Sequence, residues 1–299
     1  MRSEDPAQGV LVISRTRVVD FLALAKPELT LLSVLTAVGG AYLALEGGRQ
    51  QFLALLHTFV ATLLVGAGAG ALNMYFERAH DAMMKRTERR PIPSGRVAPV
   101  EAMVIGSAAA FLGVLELMAF TNMLAGFLAV GTLVTYLFLY TPLKRLTPFA
   151  TVVGGIPGAL PPVIGWAAVR GTVGLEAWSL FAILFFWQMP HFLSLGWMYR
   201  KDYARAGYRL LTVLDADGSA TGRQILAYSI ALLPASLLPT CVGLTGMFYF
   251  VGAAVLSLSF LAVSVQMFRR PTNGAARRLF IASLVYVPAL VLLMVADRM

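Results

Sequence analysis

The sequence predicts an all-α membrane protein, a bundle of nine transmembrane helices around a central cavity, with the N-terminus cytoplasmic and the C-terminus periplasmic. Three observations carry this. Of 299 residues, 58% are hydrophobic and only 13% charged, with a mean hydropathy of +0.75; a soluble domain carries about 25% charged residues. The apolar residues come in runs of about twenty, long enough to cross a hydrocarbon core of about 30 Å as helices. The basic residues are distributed unevenly between the two sides those runs define.

In chain order, the expected spans are 28–46, 52–76, 99–120, 124–142, 150–168, 177–199, 225–245, 247–267 and 279–297. With the N-terminus inside, the inner segments hold four Lys/Arg before the first span and six in 77–98. Two more fall in 143–149, five in 200–224 and four in 268–278, so 21 of the 24 lie inside. Only Arg49, Arg170 and Arg298 lie outside. That asymmetry fixes the orientation. It also accounts for the net charge of +9 without nucleic acid.

Residues 1–19 read as a cytoplasmic tail and 20–299 as one domain. Arg2, Glu4, Asp5, Arg15 and Arg17 resemble neither a signal peptide nor a transit peptide, which favours a bacterial inner (plasma) membrane. The single Cys241 excludes an internal disulfide and a zinc framework. The two longest inner loops, 77–98 and 200–224, follow the second and sixth spans, four helices apart, a spacing that hints at a duplicated four-helix unit. Long loops between packed elements are often functional.

The second span ends in Asn73-Met-Tyr-Phe-Glu77-Arg-Ala-His-Asp81. Asn73, Glu77 and Asp81 recur every four residues, one helical stripe about 12 Å long. One charged residue leaving a membrane is simply solvated, but Asn73 lies inside the apolar run, where polar groups face the bundle interior. Carboxylate and amide oxygens suit Mg²⁺, which binds one or two carboxylates plus substrate phosphates. Lys85, Arg86, Arg89, Arg90 and Arg96 follow at once, cations of the kind that bind phosphate oxygens, although each singly is also ordinary inner-loop charge. Gly66 and Gly70 have the GxxxG spacing that lets helices approach closely. No GK[ST] follows, so there is no P-loop.

The fifth span is broken by Gly154, Gly155, Pro157, Gly158, Pro161 and Pro162, as in a bent helix lining a cavity. Tyr140-Thr-Pro-Leu-Lys144-Arg145 adds two cations at the inner mouth. The sixth span ends Trp187-Gln188-Met-Pro190-His191-Phe192 and runs on through Arg200-Lys201-Asp202. Pro190 is expected to kink it. Continued as one helix, its eleven-residue step puts His191 and Asp202 about 20° apart and about 16 Å apart axially. A membrane histidine is often a satisfied structural group, but Gln188 lies one turn away on the same face. A neutral imidazole there could ligand iron or stabilise a developing cation. His57 has no such company and reads as structural. His80, beside Asp81, could be either.

Together N-x3-E-x3-D-x2-M-x-R-T-x2-R-P-x-P-x-G-R (73–96), Y-T-P-L-K-R (140–145), G-G-x-x-G-A-x-P-P-x-x-G-W (154–166) and W-Q-M-P-H-F…D-Y-x-x-A-G (187–207) resemble the protoheme IX farnesyltransferase (heme O synthase) family of intramembrane prenyltransferases. The resemblance spans roughly residues 20–295. It implies transfer of a farnesyl group from farnesyl diphosphate to a vinyl group of heme B, giving heme O for heme-copper oxidases. It further implies Mg²⁺ as cofactor, held by Asn73, Glu77, Asp81 and Asp202. Arg86, Arg90, Lys144, Arg145 and Lys201 would bind the diphosphate. His191, with Trp187 and Gln188 beside it, would face the heme. Asn73, Asp81, His191 and Asp202 would form the catalytic set. The pathway, and no residue, implies a heme A synthase partner. Glu77 stands where relatives commonly carry Asp, Ala79 where another acid is frequent, and Ala206 where distant relatives pair a second Asp with the first.

Two other readings compete. One is prenyl transfer to a quinone or chlorophyll precursor, against which the WQMPHF segment argues. The other is a transporter, which would need a polar path across the bilayer, yet the outer half offers mainly Glu116.

Overall fold

The computed structural model describes residues 17–46 and 48–299. Most of the expected tail, with Arg2, Glu4, Asp5 and Arg15, lies outside the described residues. The described elements are α1 (Arg17–Leu24), α2 (Pro27–Leu43), α3 (Arg49–Asp81), α4 (Pro99–Phe120), α5 (Met123–Leu143) and α6 (Ala150–Arg170). They continue with α7 (Leu175–Met198), α8 (Arg200–Arg205), α9 (Leu211–Leu214), α10 (Ser219–Cys241), α11 (Met247–Arg269) and α12 (Asn273–Ala296). Among the described residues, eight helices are long and apolar enough to cross a membrane. A ninth span arises when α1 and α2, bent by 52° at their junction, are taken together. The chain is therefore a multi-pass membrane protein, and the expected first span is a broken one.

α6 and α7 occupy the centre: 61% and 67% of their apolar windows are buried, against 22–33% for the other spans. The outer helices turn Phe52, Phe111, Phe127 and Leu292 outward, as a lipid-facing surface requires. Small residues set the helix spacing. A Cβ on Gly68 would lie 2.5 Å from the backbone N of Ala110, and one on Gly113 would lie 2.7 Å from the Ala61 carbonyl, so α3 and α4 meet backbone to backbone. The same holds for α2 and α6, where a Cβ on Gly165 would lie 1.8 Å from the Ala37 carbonyl and one on Gly40 2.2 Å from that of Pro162. Buried hydroxyls lace α10, α11 and α12 together: Ser229 with Ser264 (2.8 Å), and Tyr286 with both Ser236 (2.6 Å) and Ser257 (2.8 Å).

Two spans are irregular. α5 winds as a π-helix over Thr135–Tyr140, stacking the Tyr136 and Tyr140 rings at 5.8 Å. α6 is interrupted at Leu160, because Pro161 and Pro162 bring no N–H and start a new helical segment. The expected break in the fifth span is present. Pro190, by contrast, sits within a continuous α7.

Candidate active site

The stripe at the end of α3 is buried. Asn73, Glu77 and Asp81 are 1%, 7% and 1% exposed, although Glu77 and Asp81 are carboxylates in the last two turns of their helix. Such burial demands a partner for each, and each rung has its own cation. Lys26 Nζ donates to Asn73 Oδ1. Lys144 Nζ donates to Glu77 Oε1 at 2.8 Å, and Arg90 Nη1 to Asp81 Oδ2 at 2.8 Å. Asn73 Nδ2 in turn donates to Thr141 Oγ1 (3.1 Å), whose hydroxyl donates to the Tyr136 carbonyl (2.9 Å). That relay turns the amide oxygen towards Lys26.

Three elements deliver these cations. Arg90 comes from the loop after α3, which Thr87 anchors by donating its hydroxyl to the Asp81 carbonyl (2.8 Å). Lys144 follows α5, its ammonium 4.3 Å from the centre of the Tyr140 ring. Lys26 stands at the α1–α2 junction. Burial pulls the Lys144 ammonium down, but the Glu77 carboxylate beside it and the tyrosines Tyr140 and Tyr136 outweigh this and hold it well above the ordinary lysine value. Tyr208 donates its hydroxyl to Glu77 Oε1 (3.1 Å); burial, then the Glu77 charge, pushes that phenol up, so it remains a donor.

The 200–224 segment lies over this mouth. Met84 clusters with Ala206 and Tyr208, His80 stacks on Tyr208 at 5.8 Å, and the backbone N–H of Arg209 bonds the Lys144 carbonyl at 2.9 Å. His80 is thereby a loop contact. The Arg86 guanidinium lies over the Tyr199 and Tyr203 rings (5.2 and 5.8 Å) and donates to Tyr203 Oη at 3.2 Å. It clasps the two loops rather than the α3 carboxylates. Asp202 pairs with Arg205 of its own short helix, and Arg145 and Lys201 are exposed.

The helix linking His191 to Asp202 does not continue. α7 ends at Met198, Tyr199 leaves helical geometry (φ −105°, ψ 16°), and α8 starts anew at Arg200. The expected common face of His191 and Asp202 is therefore lost. Gln188 and His191 also part company: Gln188 is buried and donates to the Gly155 carbonyl of α6 (2.7 Å), whereas His191 turns to α12. Trp187 is buried with its indole N–H on the Ser283 carbonyl (2.9 Å). His191 stacks between Trp187 (5.1 Å) and Phe280 (4.9 Å), its Nδ1 2.7 Å from Ser283 Oγ. Ser283 spends its one proton on the Phe280 carbonyl (2.6 Å). Nδ1 must then be the donor, which leaves the lone pair on Nε2.

His57 does have company. Its Nδ1 lies 2.8 Å from Glu116 Oε1, and its ring stacks on Phe120 at 4.7 Å, which staples α3 to α4 far from the mouth.

Among the described residues, no three His, Cys, Asp or Glu side chains form a closed metal cage. The α3 stripe nevertheless fits Mg²⁺: its donors are all oxygen, lie on one face, and leave coordination positions for water and phosphate, as that ion prefers. Lys26, Thr141 and Tyr208 escaped the sequence reading. They lie 47, 68 and 131 residues from their partners, and only the Lys-Pro junction before α2 offered a signal.

Comparisons with known proteins place the chain among relatives. The chain is 44% identical over 287 residues to a protoheme IX farnesyltransferase of Solibacter usitatus, covering 93% of this chain and 98% of the relative. It is 43% identical to that of Salinibacter ruber, covering 93% and 98%. Among solved structures it superposes on a digeranylgeranylglyceryl phosphate synthase with a TM-score of 0.78 at 16% identity, covering 94% of this chain and 98% of the other. A UbiA homologue from Archaeoglobus fulgidus, bound to GPP and Mg²⁺, superposes with a TM-score of 0.62 at 14% identity, covering 92% and 99%. The profile of the UbiA prenyltransferase family matches residues 33–287, and the chain belongs to that family.

Proposed function

We propose that the chain transfers the farnesyl group of farnesyl diphosphate to a vinyl group of heme B, producing heme O. The observation that carries the chemistry is the buried ladder on α3, where three oxygen ligands each face a cation. The acceptor is inferred from relatives named protoheme IX farnesyltransferase at 44% and 43% identity over nearly the whole chain.

Asn73, Glu77 and Asp81 would hold Mg²⁺, joined by Asp202 of α8 once it leaves Arg205, and the bound ion would supply charge neutralisation for the diphosphate. Lys144 and Arg90 take up the remaining charge on the leaving diphosphate, Arg145 and Lys201 contribute from the loops, and Arg86 serves that site by clasping the loops over it through Tyr199 and Tyr203. The electron pair of the C1–O bond leaves with the diphosphate, and the vinyl group attacks C1. Water adds to the resulting benzylic-type cation and loses a proton, giving the hydroxyethylfarnesyl group. The apolar bundle below the ladder keeps bulk water from the allylic cation before attack. His191, with Nε2 unprotonated and Nδ1 fixed by Ser283, faces the porphyrin and offers its lone pair to iron or to the developing cation. Trp187 and Gln188 support that pocket by bracing α7 against α12 and α6.

The lysine and arginine distribution supports a cytoplasmic mouth in a bacterial plasma membrane. Incubating membranes with heme B and farnesyl diphosphate and analysing extracted hemes by mass spectrometry tests the reading. Heme O is the expected product, and its absence overturns the assignment. Heme titration reports the acceptor end separately: a Soret shift that vanishes in His191→Ala is expected, and no heme binding at all points to another aromatic acceptor.

A further inference from the structure

Lys26 is the one non-glycine residue with positive φ among the described residues (φ 46°, ψ 64°). A side-chain-bearing residue in left-handed geometry is strained and persists where its surroundings over-determine it. Those surroundings are on α3. A Cβ on Gly70 would lie 3.0 Å from the Leu24 and Ala25 carbonyls, and one on Gly66 2.9 Å from Thr30, so the α1–α2 junction sits directly on the GxxxG face. Thr30 Oγ1 ties the junction by donating to the Ala25 carbonyl (2.6 Å). Pro27 then starts α2, and the strained residue points its ammonium at Asn73, one turn below Glu77 and two below Asp81. A helix junction alone would be served by glycine at this φ. A lysine held there against strain is explained by its charge.

We propose that Lys26 binds diphosphate as the third cation of the α3 ladder, beside Lys144 and Arg90, and that its pair with Asn73 exchanges together with Glu77–Lys144 and Asp81–Arg90 when substrate enters. This rests on the farnesyl-transfer reading. Without substrate, one oxygen of each ladder residue is taken by a cation: Asn73 Oδ1 by Lys26, Glu77 Oε1 by Lys144 and Asp81 Oδ2 by Arg90. Metal alone must therefore displace cations into a site with no anion to receive them. Diphosphate alone must strip cations from carboxylates that are then left bare. When both arrive, the oxygens turn to the metal and Lys26, Lys144 and Arg90 to the diphosphate, so every charge stays paired. The two ligands then bind with positive and reciprocal coupling.

Calorimetry on the full-length chain in detergent, with heme absent so that no turnover occurs, tests this. Mg²⁺ alone, farnesyl diphosphate alone and the two together are titrated into wild type, Lys26→Gly, Lys26→Asn and Lys26→Arg. Glycine and asparagine accept the left-handed backbone without the charge, so the junction survives. Each ligand should tighten the other at least about tenfold in wild type. Both neutral variants should lose at least about tenfold in farnesyl diphosphate affinity in the presence of Mg²⁺ without a fall in thermal midpoint, since relief of the left-handed strain can only raise it, and Lys26→Arg should recover part of the affinity. Wild-type affinity in Lys26→Gly and Lys26→Asn overturns the role of Lys26. Independent binding of the two ligands to wild type overturns the exchange. Either result leaves the farnesyl-transfer reading standing, whereas a wild type that never binds farnesyl diphosphate overturns both.

Discussion

The ends of α3 and α7 carry the two polar runs that stand out in the sequence, and they are built in opposite ways. α3 stays helical through Asp81, so Asn73, Glu77 and Asp81 keep one face and each meets a cation from a different element. α7 stops at Met198, and its polar residues scatter: Gln188 to α6, His191 to α12, Asp202 to Arg205. A four-residue repeat survives as geometry only while the helix does. The first region is a rigid ladder, and the second is a set of separate contacts joined by a jointed loop.

The largest contrast should come from the ladder's upper rung. Asp81→Asn keeps side-chain volume in a site that is 1% exposed but removes the charge facing Arg90, and farnesyl transfer should fall by about 10²–10³-fold by heme mass spectrometry. Near-normal turnover in a folded variant would remove the ladder from the chemistry. Asp81→Ala is the poorer probe, because it adds a cavity to the orphaned Arg90.

Next comes Glu77→Ala. It strands Lys144 in a site where the two side chains are 9% and 13% exposed, and chemical unfolding should register a loss of about 3–5 kcal/mol. Adding Lys144→Met should return most of that stability without restoring activity. If the double variant is as unstable as the single one, the pair is not the source.

The α7 side predicts smaller effects. Ser283→Ala removes the acceptor that orients His191 and should cost about 1 kcal/mol in stability, with a shifted heme Soret band as its spectroscopic sign. An unmoved Soret maximum would detach Ser283 from the heme pocket. Arg86→Ala should slow transfer by a few-fold, because the clasp over Tyr199 and Tyr203 is exposed and worth about 0.5–1 kcal/mol per ring. A loss as deep as that of Asp81→Asn would mean that Arg86 leaves the tyrosines and touches diphosphate itself.

These differences follow what a sequence can express. Asn73, Glu77 and Asp81 were legible because they are local and periodic, and the helices because apolar length and lysine–arginine asymmetry are one-dimensional properties. The rungs' partners were legible only in part. Arg90 is nine residues from Asp81, and Lys144 stood in a basic run. Lys26 and Tyr208 look like any boundary lysine or loop tyrosine until α1 and the 200–224 segment fold over the mouth. The His191–Asp202 alignment failed at one residue, Tyr199, whose backbone angle no periodicity could announce. His57 misled for the same reason as Lys26, since Glu116 reaches it from another helix.

The seam between α2 and α6 has a mechanical side. With Gly165 against the Ala37 carbonyl and Gly40 against that of Pro162, α2 has no slack and behaves as a stiff rod clamped in the half farther from the charged mouth. Lys26 sits at the free end of that rod, about 16 Å from Ala37 and about 21 Å from Gly40. A single methyl group inserted in the clamp would tilt the rod and swing the ammonium off Asn73. The precision of the charged mouth is thus set by two hydrogen atoms in the greasy half of the bundle, where an alanine would do the work of a lost lysine.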